Sequence, residues 1–514
     1  MEAWSDLWNP VMVLGGAGTI GVVSSPWIKS RGWLTPWCLF AILMAALSGT
    51  SSAADAASRG TLALSVGWGL LWVAALWPNR LPESVSHRQS ELTLPMLLVL
   101  LSGLGLTVQA GDVMTLFMGV ALTTCGASIM AQSQGQSTTA NGVARSWDRS
   151  QNDTLVLLSL LMLGFLLLAA VTGSTRIETI AESLQASYVN HDAARYAIAG
   201  GGSWMLTLSI TLIGTSLGGL ALAAPFHSRV VDTSEATLPS RVAADLLLPR
   251  AVVLVTWLKL WPATITASES TAQLLVGVLA AITFIVPLLQ VKPEQSLARQ
   301  WMLLAVSQGG WLFLSVTAWS FGTKPIQPSE AWPVVEWNSP SAAQAAWLWL
   351  LLDGVALIGL FGVLAYLGRR ERPITETDDL RGLRQSEPIA AVCATICLLS
   401  LSGVPLLAGF WSRLFVAMSA MNVRGEWGPA ELLVPHGGLL LLTVLAAVSS
   451  VWTASIAGHA IWKMHFGLPL GQPQPAGTVG SLFVAVLASL ILLGCGLLPG
   501  PLLSWLCEPK IGIE

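Results

Sequence analysis

Along this chain polar residues come in short bursts, and between them lie stretches that are nearly free of charge and long enough to cross a bilayer as a helix, which takes about 20 largely apolar residues. Fourteen such stretches can be marked, at 9–28, 33–53, 60–78, 92–111, 113–132, 154–174, 203–226, 243–263, 270–290, 300–320, 343–367, 387–421, 434–462 and 478–506. Two of them carry an interruption. Pro249 falls inside the eighth, and Ser402-Gly403-Val404-Pro405 sits in the middle of the twelfth. Proline removes a backbone donor and crowds the preceding turn, so both are candidate broken helices, which occur in transporters, while proline kinks are also common in ordinary spans. Between the spans, the polar segment 133–153 is expected to be a mobile loop, and 176–200 suits a short amphipathic helix on the outer surface. The first span begins too far in, without a small-residue cleavage site, to be a signal peptide.

Composition agrees with this pattern. Hydrophobic residues make up 54% of the chain, charged residues 10%, and the mean hydropathy is +0.67. There is too little polar material to coat a soluble protein of this length, and the expected class is an all-α integral membrane protein. A net charge of −3 leaves no basic face for nucleic acid. The six cysteines, Cys38, Cys125, Cys393, Cys397, Cys495 and Cys507, mostly lie in apolar runs without iron–sulfur, haem or zinc spacing, so no metal site is expected.

The positive residues set an orientation. Sixteen Lys and Arg fall in the odd-numbered loops, and six in the even-numbered loops and the C-terminal tail. Positive residues collect on the cytoplasmic side, which puts both termini outside.

A charge at mid-bilayer costs about 2.5–3.5 kcal/mol on insertion scales, so the few inside the spans need partners or a function. They are Arg250, Lys259, Asp353, Arg413 and, near an edge, Asp245, while His227 ends the seventh span. Arg250 follows the Pro249 interruption and Arg413 follows the one at Pro405. Lys259 reads equally as a snorkelling side chain or as part of a polar path. Asp353 reads as a structural pair or as a transport group.

Several motifs resemble the antiporter-like membrane subunits of proton-pumping NADH:quinone oxidoreductase, respiratory complex I, and subunit N in particular. Asp378-Asp379-Leu380-Arg381-Gly382-Leu383 with Pro388 and Ala391 is similar to the family's DDLxGL linker. Leu399-Ser400-Leu401-Ser402-Gly403-Val404-Pro405, then Ala408-Gly409-Phe410, is similar to its SLAGIPPLAGF broken helix, with Arg413 where the family has lysine. Pro225-Phe226-His227 resembles the PFH closing the family's broken seventh helix. Pro249-Arg250-Ala251 and Lys259 stand where the family carries Pro-Lys-Ala and, nine residues after that lysine, an arginine. Arg299–Leu303 with Ser307-Gln308-Gly309-Gly310-Trp311 resembles KRxLAYSSIxHxGY, with Gln308 at the His/Gln position. The likeness runs from about residue 90 to 425.

What this resemblance implies is a fold of about 14 transmembrane helices with two inverted five-helix repeats, broken at helix 7 or 8 and at helix 12. The chain would divide into helices 1–3 at 1–90, an antiporter-like core at 91–425, and helices 13–14 at 426–514. The expected function is that of a membrane-arm subunit coupling quinone reduction to proton translocation in the inner (plasma) membrane. It would bind no cofactor itself; FMN, iron–sulfur clusters and quinone would sit in partner subunits, and its neighbours would be other membrane-arm subunits and lipid. The proton-path candidates are Arg250, Lys259, Arg413, Asp353, His227 and Gln308, with Pro249, Gly403 and Pro405 marking the breaks. The family's Glu/Lys coupling pair maps onto Ala121 and Leu220, so both members are lost. Arginine holds its proton where lysine can release one. The expectation is therefore weakened or altered pumping. An Mrp-like or other ion-coupled cation/proton antiporter subunit is the alternative, and a structural subunit without translocation the third.

Overall fold

Backbone inside hydrocarbon has no water to bond and closes its hydrogen bonds within helices. The computed structural model describes residues 10–24, 37–45, 66–71, 93–132, 140–189, 202–231, 239–292, 295–320, 342–367, 376–421, 437–468 and 479–501. Among these the chain is all-helical, with an isolated bridge between Asp112 and Arg176 in place of any strand. Most of the expected third span, several of the loop cations used for orientation and the C-terminal tail lie outside the described residues.

The longer helices are α1 (Pro10–Ser24), α2 (Thr93–Gln109), α3 (Val113–Gln132), α4 (Ala140–Thr172), α5 (Ile177–Val189) and α6 (Gly202–Leu220). The four-residue α7 (Ser228–Val231) follows, then α8 (Pro239–Gln290), α9 (Leu297–Gln308), α10 (Gly310–Ser320) and α11 (Ala342–Leu367). The short α12 (Leu383–Ser386) opens onto α13 (Pro388–Ser402), α14 (Ala408–Met421), α15 (Gly437–Phe466) and α16 (Val479–Leu497). Among the described residues, seven stretches, in α3, α4, α8, α9–α10, α11, α15 and α16, are long and apolar enough to cross a membrane, and parts of α2, α6 and α13 are shorter apolar helices. The chain is a multi-pass membrane protein. α10 and α11 are buried along nearly their whole length at the centre of the bundle, whereas α15 exposes the apolar row Leu441, Val444, Val448 and Val451.

Three features differ from the sequence expectation. First, α4 begins at Ala140, so much of the segment expected as a loop at 133–153 is helix, extending the sixth span by several turns. Extending a formed helix gains one hydrogen bond for each residue fixed and avoids the cost of a new nucleus, so the span propagates into the polar segment.

Second, the chain does not break at Pro249. α8 runs through it, and the break near there belongs to the seventh span, where α6 stops at Leu220 and residues 221–227 form irregular turns. Proline removes only one backbone bond. Here Leu246, Leu247, Leu248, Ala251, Val252 and Val253 are all fully buried around it, and their packing holds the helix.

Third, α8 is one helical run of 52 residues. A straight rod of that length would be about 78 Å, more than twice the roughly 30 Å of a bilayer core. It is not straight. The Arg250 side chain donates to the Ala221 carbonyl at 3.4 Å, and the Thr283 hydroxyl accepts from the Ala224 N–H at 3.1 Å. Residues 250 and 283 would be about 50 Å apart on a straight helix, so the run doubles back between them and supplies two passes.

Candidate functional site

A helix that stops inside a membrane leaves up to four carbonyls without intrahelical partners, and its C-terminal end favours a cation. Three such ends meet buried arginines here.

The first lies between α13 and α14. α13 ends at Ser402 because Gly403 adopts a left-handed conformation at φ 76°, its N–H turning back to Leu399 and Ser400. The chain resumes as a helix at Ala408. One turn later Arg413 reaches back: Nη1 donates to the Ser400 carbonyl at 2.8 Å and to that of Gly409 at 3.2 Å, and Nη2 donates to the Leu401 carbonyl. Nε and Nη2 both donate to Gln308 Oε1, at 3.2 and 2.9 Å. Arginine has five N–H donors, and all five of these are engaged. The amide of Gln308 continues the chain of contacts, donating to Thr453 Oγ1 on α15 at 2.8 Å.

The second end is that of α9, where Gly309 separates it from α10. Arg250 donates from Nη2 to the carbonyls of Ala305 at 3.0 Å and Val306 at 3.3 Å, and from Nε to Ala221. A Cβ at Gly309 would lie 2.6 Å from Arg250 Nη2, so a larger residue there would displace the guanidinium. The third is the end of α6, where Arg229 of α7 donates from Nη2 to the Leu220 carbonyl at 2.8 Å and from Nη1 to Thr154 Oγ1 of α4 at 2.6 Å. Sequence reasoning placed Arg229 in a loop. It is only 2% exposed. The available signal was its position two residues after His227, inside the segment that closes the broken span.

The carboxylates are held differently. Asp353, near the middle of α11, is 4% exposed. Its Oδ1 lies 3.9 Å from Arg413 Nη2, and it also interacts electrostatically with Arg250. Oδ2 has no hydrogen-bond partner among the described residues, nor has Arg250 Nη1. The structure thus brings Arg250, Asp353, Arg413 and Gln308 into one buried cluster. Asp245, on α8, is 2% exposed and interacts electrostatically with Arg229; its Oδ1 likewise lacks a hydrogen-bond partner among the described residues.

The other candidates lie apart from this cluster. Lys259 donates to the Ala110 carbonyl at 2.7 Å, beside the junction of α2 and α3. His227 Nε2 pairs with Gln290 Oε1 at 2.8 Å, joining the turn after α6 to the end of α8. Leu220 is fully buried, and Ala121 is half-buried against the core. No three His, Cys, Asp or Glu side chains among the described residues converge as a metal site requires.

On the membrane surface, the 3-10 turn Thr377–Leu380 and α12 dock on the end of α15. Lys463 Nζ lies 2.7 Å from the Asp378 carboxylate and Arg381 Nη2 3.2 Å from it. The Lys463 hydrogen bond, with further attraction from Lys463 and Arg381, holds Asp378 below the usual aspartate range.

Residues 335–432, which contain Asp353, the linker, the α13–α14 break and Arg413, match the family model described as NADH:quinone oxidoreductase/Mrp antiporter, TM. The chain is 25% identical over 408 residues to NADH-quinone oxidoreductase subunit N 1 of Sorangium cellulosum, covering 75% of this chain and 70% of that one. The chain is similar to subunit N over most of its length. This subunit N-like chain shares its fold with a chain of respiratory complex I from Thermus thermophilus (TM-score 0.71, 18% identity, 96% of this chain and 98% of that one). It also shares it with a chain of the Mrp complex from Dietzia sp. (TM-score 0.73, 16% identity, 99% and 96%).

Proposed function

We propose that this chain is a membrane-arm subunit of a complex-I-like NADH:quinone oxidoreductase, in which it lines a polar path for protons. The observation that carries this is the buried Arg250–Asp353–Arg413 cluster at two helix breaks, in a chain whose relatives are named as subunit N. An ionisable residue inside a membrane is by default a functional-site candidate, ion and proton pathways among the roles it takes. The chain would have about 14 spans in two inverted repeats, with both termini on the outer side of the cell membrane. FMN, iron–sulfur clusters and quinone would belong to partner subunits, so the redox chemistry would lie outside this chain.

Within the cluster the roles divide by chemistry. Arginine does not give up its proton under ordinary conditions, and the donors of Arg413 are all committed. The two arginines therefore supply a fixed positive field. Asp353, with one oxygen unbonded, is the group able to take up and release a proton. With Ala121 and Leu220 in place of the family's Glu/Lys pair, coupling is weakened or altered. Removing both members at once avoids stranding a single buried charge.

The test is to purify the tagged chain with its partners and measure protons moved per electron in vesicles. Co-purification of flavin and iron–sulfur subunits, and a lower ratio in Asp353→Asn, are expected. Pumping unchanged in Asp353→Asn would remove Asp353 from the path. Pumping abolished in Arg413→Ala but normal in Arg413→Lys would mean that this subunit has a fully working cation-dependent channel, against the weakened reading.

The Mrp-like alternative is favoured by the fold match to the Mrp complex over 99% of this chain. Co-purification with cation-antiporter subunits in place of flavin and iron–sulfur subunits would decide for it.

A further inference from the structure

We propose that Asp245 and Arg229 form a second proton-exchanging site of the bundle, in which Asp245 takes up and releases the proton and Arg229 is its fixed counter-charge. The proposal deepens the proton-path function above and rests on it for its physiological role.

Arg229 is anchored. Its guanidinium is tied to the Leu220 carbonyl at the broken end of α6 and to the Thr154 hydroxyl on α4. Both bonds hold the cation in place at the C-terminal end of a helix, where positive charge is favoured. Asp245 is itself 2% exposed, and its chain neighbours Ala243, Ala244, Leu246, Leu247 and Leu248 are all fully buried. Among the described residues, Arg229 of α7 is the charged group that acts on it. Arg229 is in turn faced by Asp153 of α4 and Cys125 of α3.

A purely structural ion pair is expected to saturate its hydrogen bonds, because a buried polar atom left without one costs about 1–3 kcal/mol. Arg229 is tied through Nη1 and Nη2, whereas Asp245 Oδ1 has no hydrogen-bond partner among the described residues. Asp353 shows the same asymmetry beside Arg413. In both places the arginine donates to a backbone carbonyl at a helix break, and the aspartate keeps an oxygen open.

The position of the pair is also informative. Asp245 precedes Arg250 by five residues on α8, a rise of about 7.5 Å. The buried charges fall into two groups, Arg229 with Asp245, and Arg250 with Asp353 and Arg413, the second ending at Gln308 and Thr453. Arg229 also restores a cation beside the backbone of Leu220, and Cys125, which faces it, lies one turn beyond Ala121 on α3. The site lost at those two side chains is thus re-formed from neighbouring ones, with the carboxylate as carrier.

The deciding experiment is an infrared pH titration of the purified full chain in lipid, following the C=O band of protonated buried carboxyl groups. Wild type is expected to show two titrating components. Asp245→Asn should lose one and Asp353→Asn the other; Arg229→Lys should keep the Asp245 component with a displaced midpoint. Should Asp245→Asn fail to fold, Asp245→Glu, which keeps the carboxyl, should retain the component at a shifted frequency. An Asp245→Asn spectrum identical to wild type, or an Asp245→Glu spectrum with no shifted component, overturns the proposal. In the assembled complex, Asp245→Asn should lower protons moved per electron while quinone reduction continues. Failure of the chain to co-purify with quinone-oxidoreductase subunits would defeat the assembly reading, and the infrared result would still decide the proton exchange at Asp245.

Discussion

Arg413 and Asp353 lie 3.9 Å apart, each almost sealed from the exterior, and yet they are not hydrogen-bonded to one another. The donors of Arg413 go to Ser400, Gly409, Leu401 and Gln308, leaving only Coulomb attraction for the carboxylate. A saturated cation beside an unsaturated anion is stable in place and still chemically available.

That relationship predicts strong energetic coupling. Removing one member of a buried pair costs about 3–5 kcal/mol because the other is left uncompensated, whereas replacing both with apolar residues is far milder. Asp353→Ala and Arg413→Leu should each lower the unfolding midpoint of the detergent-solubilised protein. The double variant should be markedly less destabilised than the sum. Additivity within about 0.5 kcal/mol would show that the two side chains do not interact.

The break at Gly403 makes a second prediction. Its φ of 76° disfavours any residue with a Cβ, at about 1–2 kcal/mol, and a Cβ there would lie 2.9 Å from Arg413 Nη1. Gly403→Ala should therefore reduce stability by at least that amount and displace Arg413 as well. Thermal unfolding of Gly403→Ala, compared with the same substitution in an Arg413→Leu background, separates the two costs.

At the membrane surface, Asp378 gives a pH dependence. Its carboxyl is held below its ordinary value first by the Lys463 hydrogen bond, so the ionised form is favoured in the folded state. The stabilisation is full above the unfolded aspartate pKa of about 3.9, and it is lost as pH falls through the lower folded value. Hydrogen exchange of residues 376–387 should stay protected down to about that pH and rise below it. Lys463→Ala should expose the same amides at higher pH, and added salt should narrow the difference, because the pair is half exposed. Equal protection in wild type and Lys463→Ala across the range would refute the docking role of this pair.

How far the sequence could see depended on the kind of signal. The break at Ser402–Pro405 was visible because glycine and proline punctuate a span in any context. Asp353 and Arg413 stood out because a charge among twenty apolar residues is costly wherever its partner lies. Pro249 misled, since one missing backbone bond counts for less than the packing of six fully buried neighbours, and that packing has no local signature. Arg229 was missed for the opposite reason. It lies outside every apolar run and reads as a loop residue, and its burial depends on Thr154 and Leu220 arriving from elsewhere in the chain.

The sequence by itself determined the solvent of this protein, its helical character, and the short roster of charges that had to be accommodated in the bilayer, because those follow from local composition and the cost of moving polar groups into hydrocarbon. The tertiary structure decided which charge meets which. Asp353 and Arg413 are separated by 60 residues, and Gln308 and Thr453 by 145. Contacts at such separations are fixed by how helices pack, so which arginines became fixed caps and which carboxylates kept an open oxygen could be settled only in three dimensions.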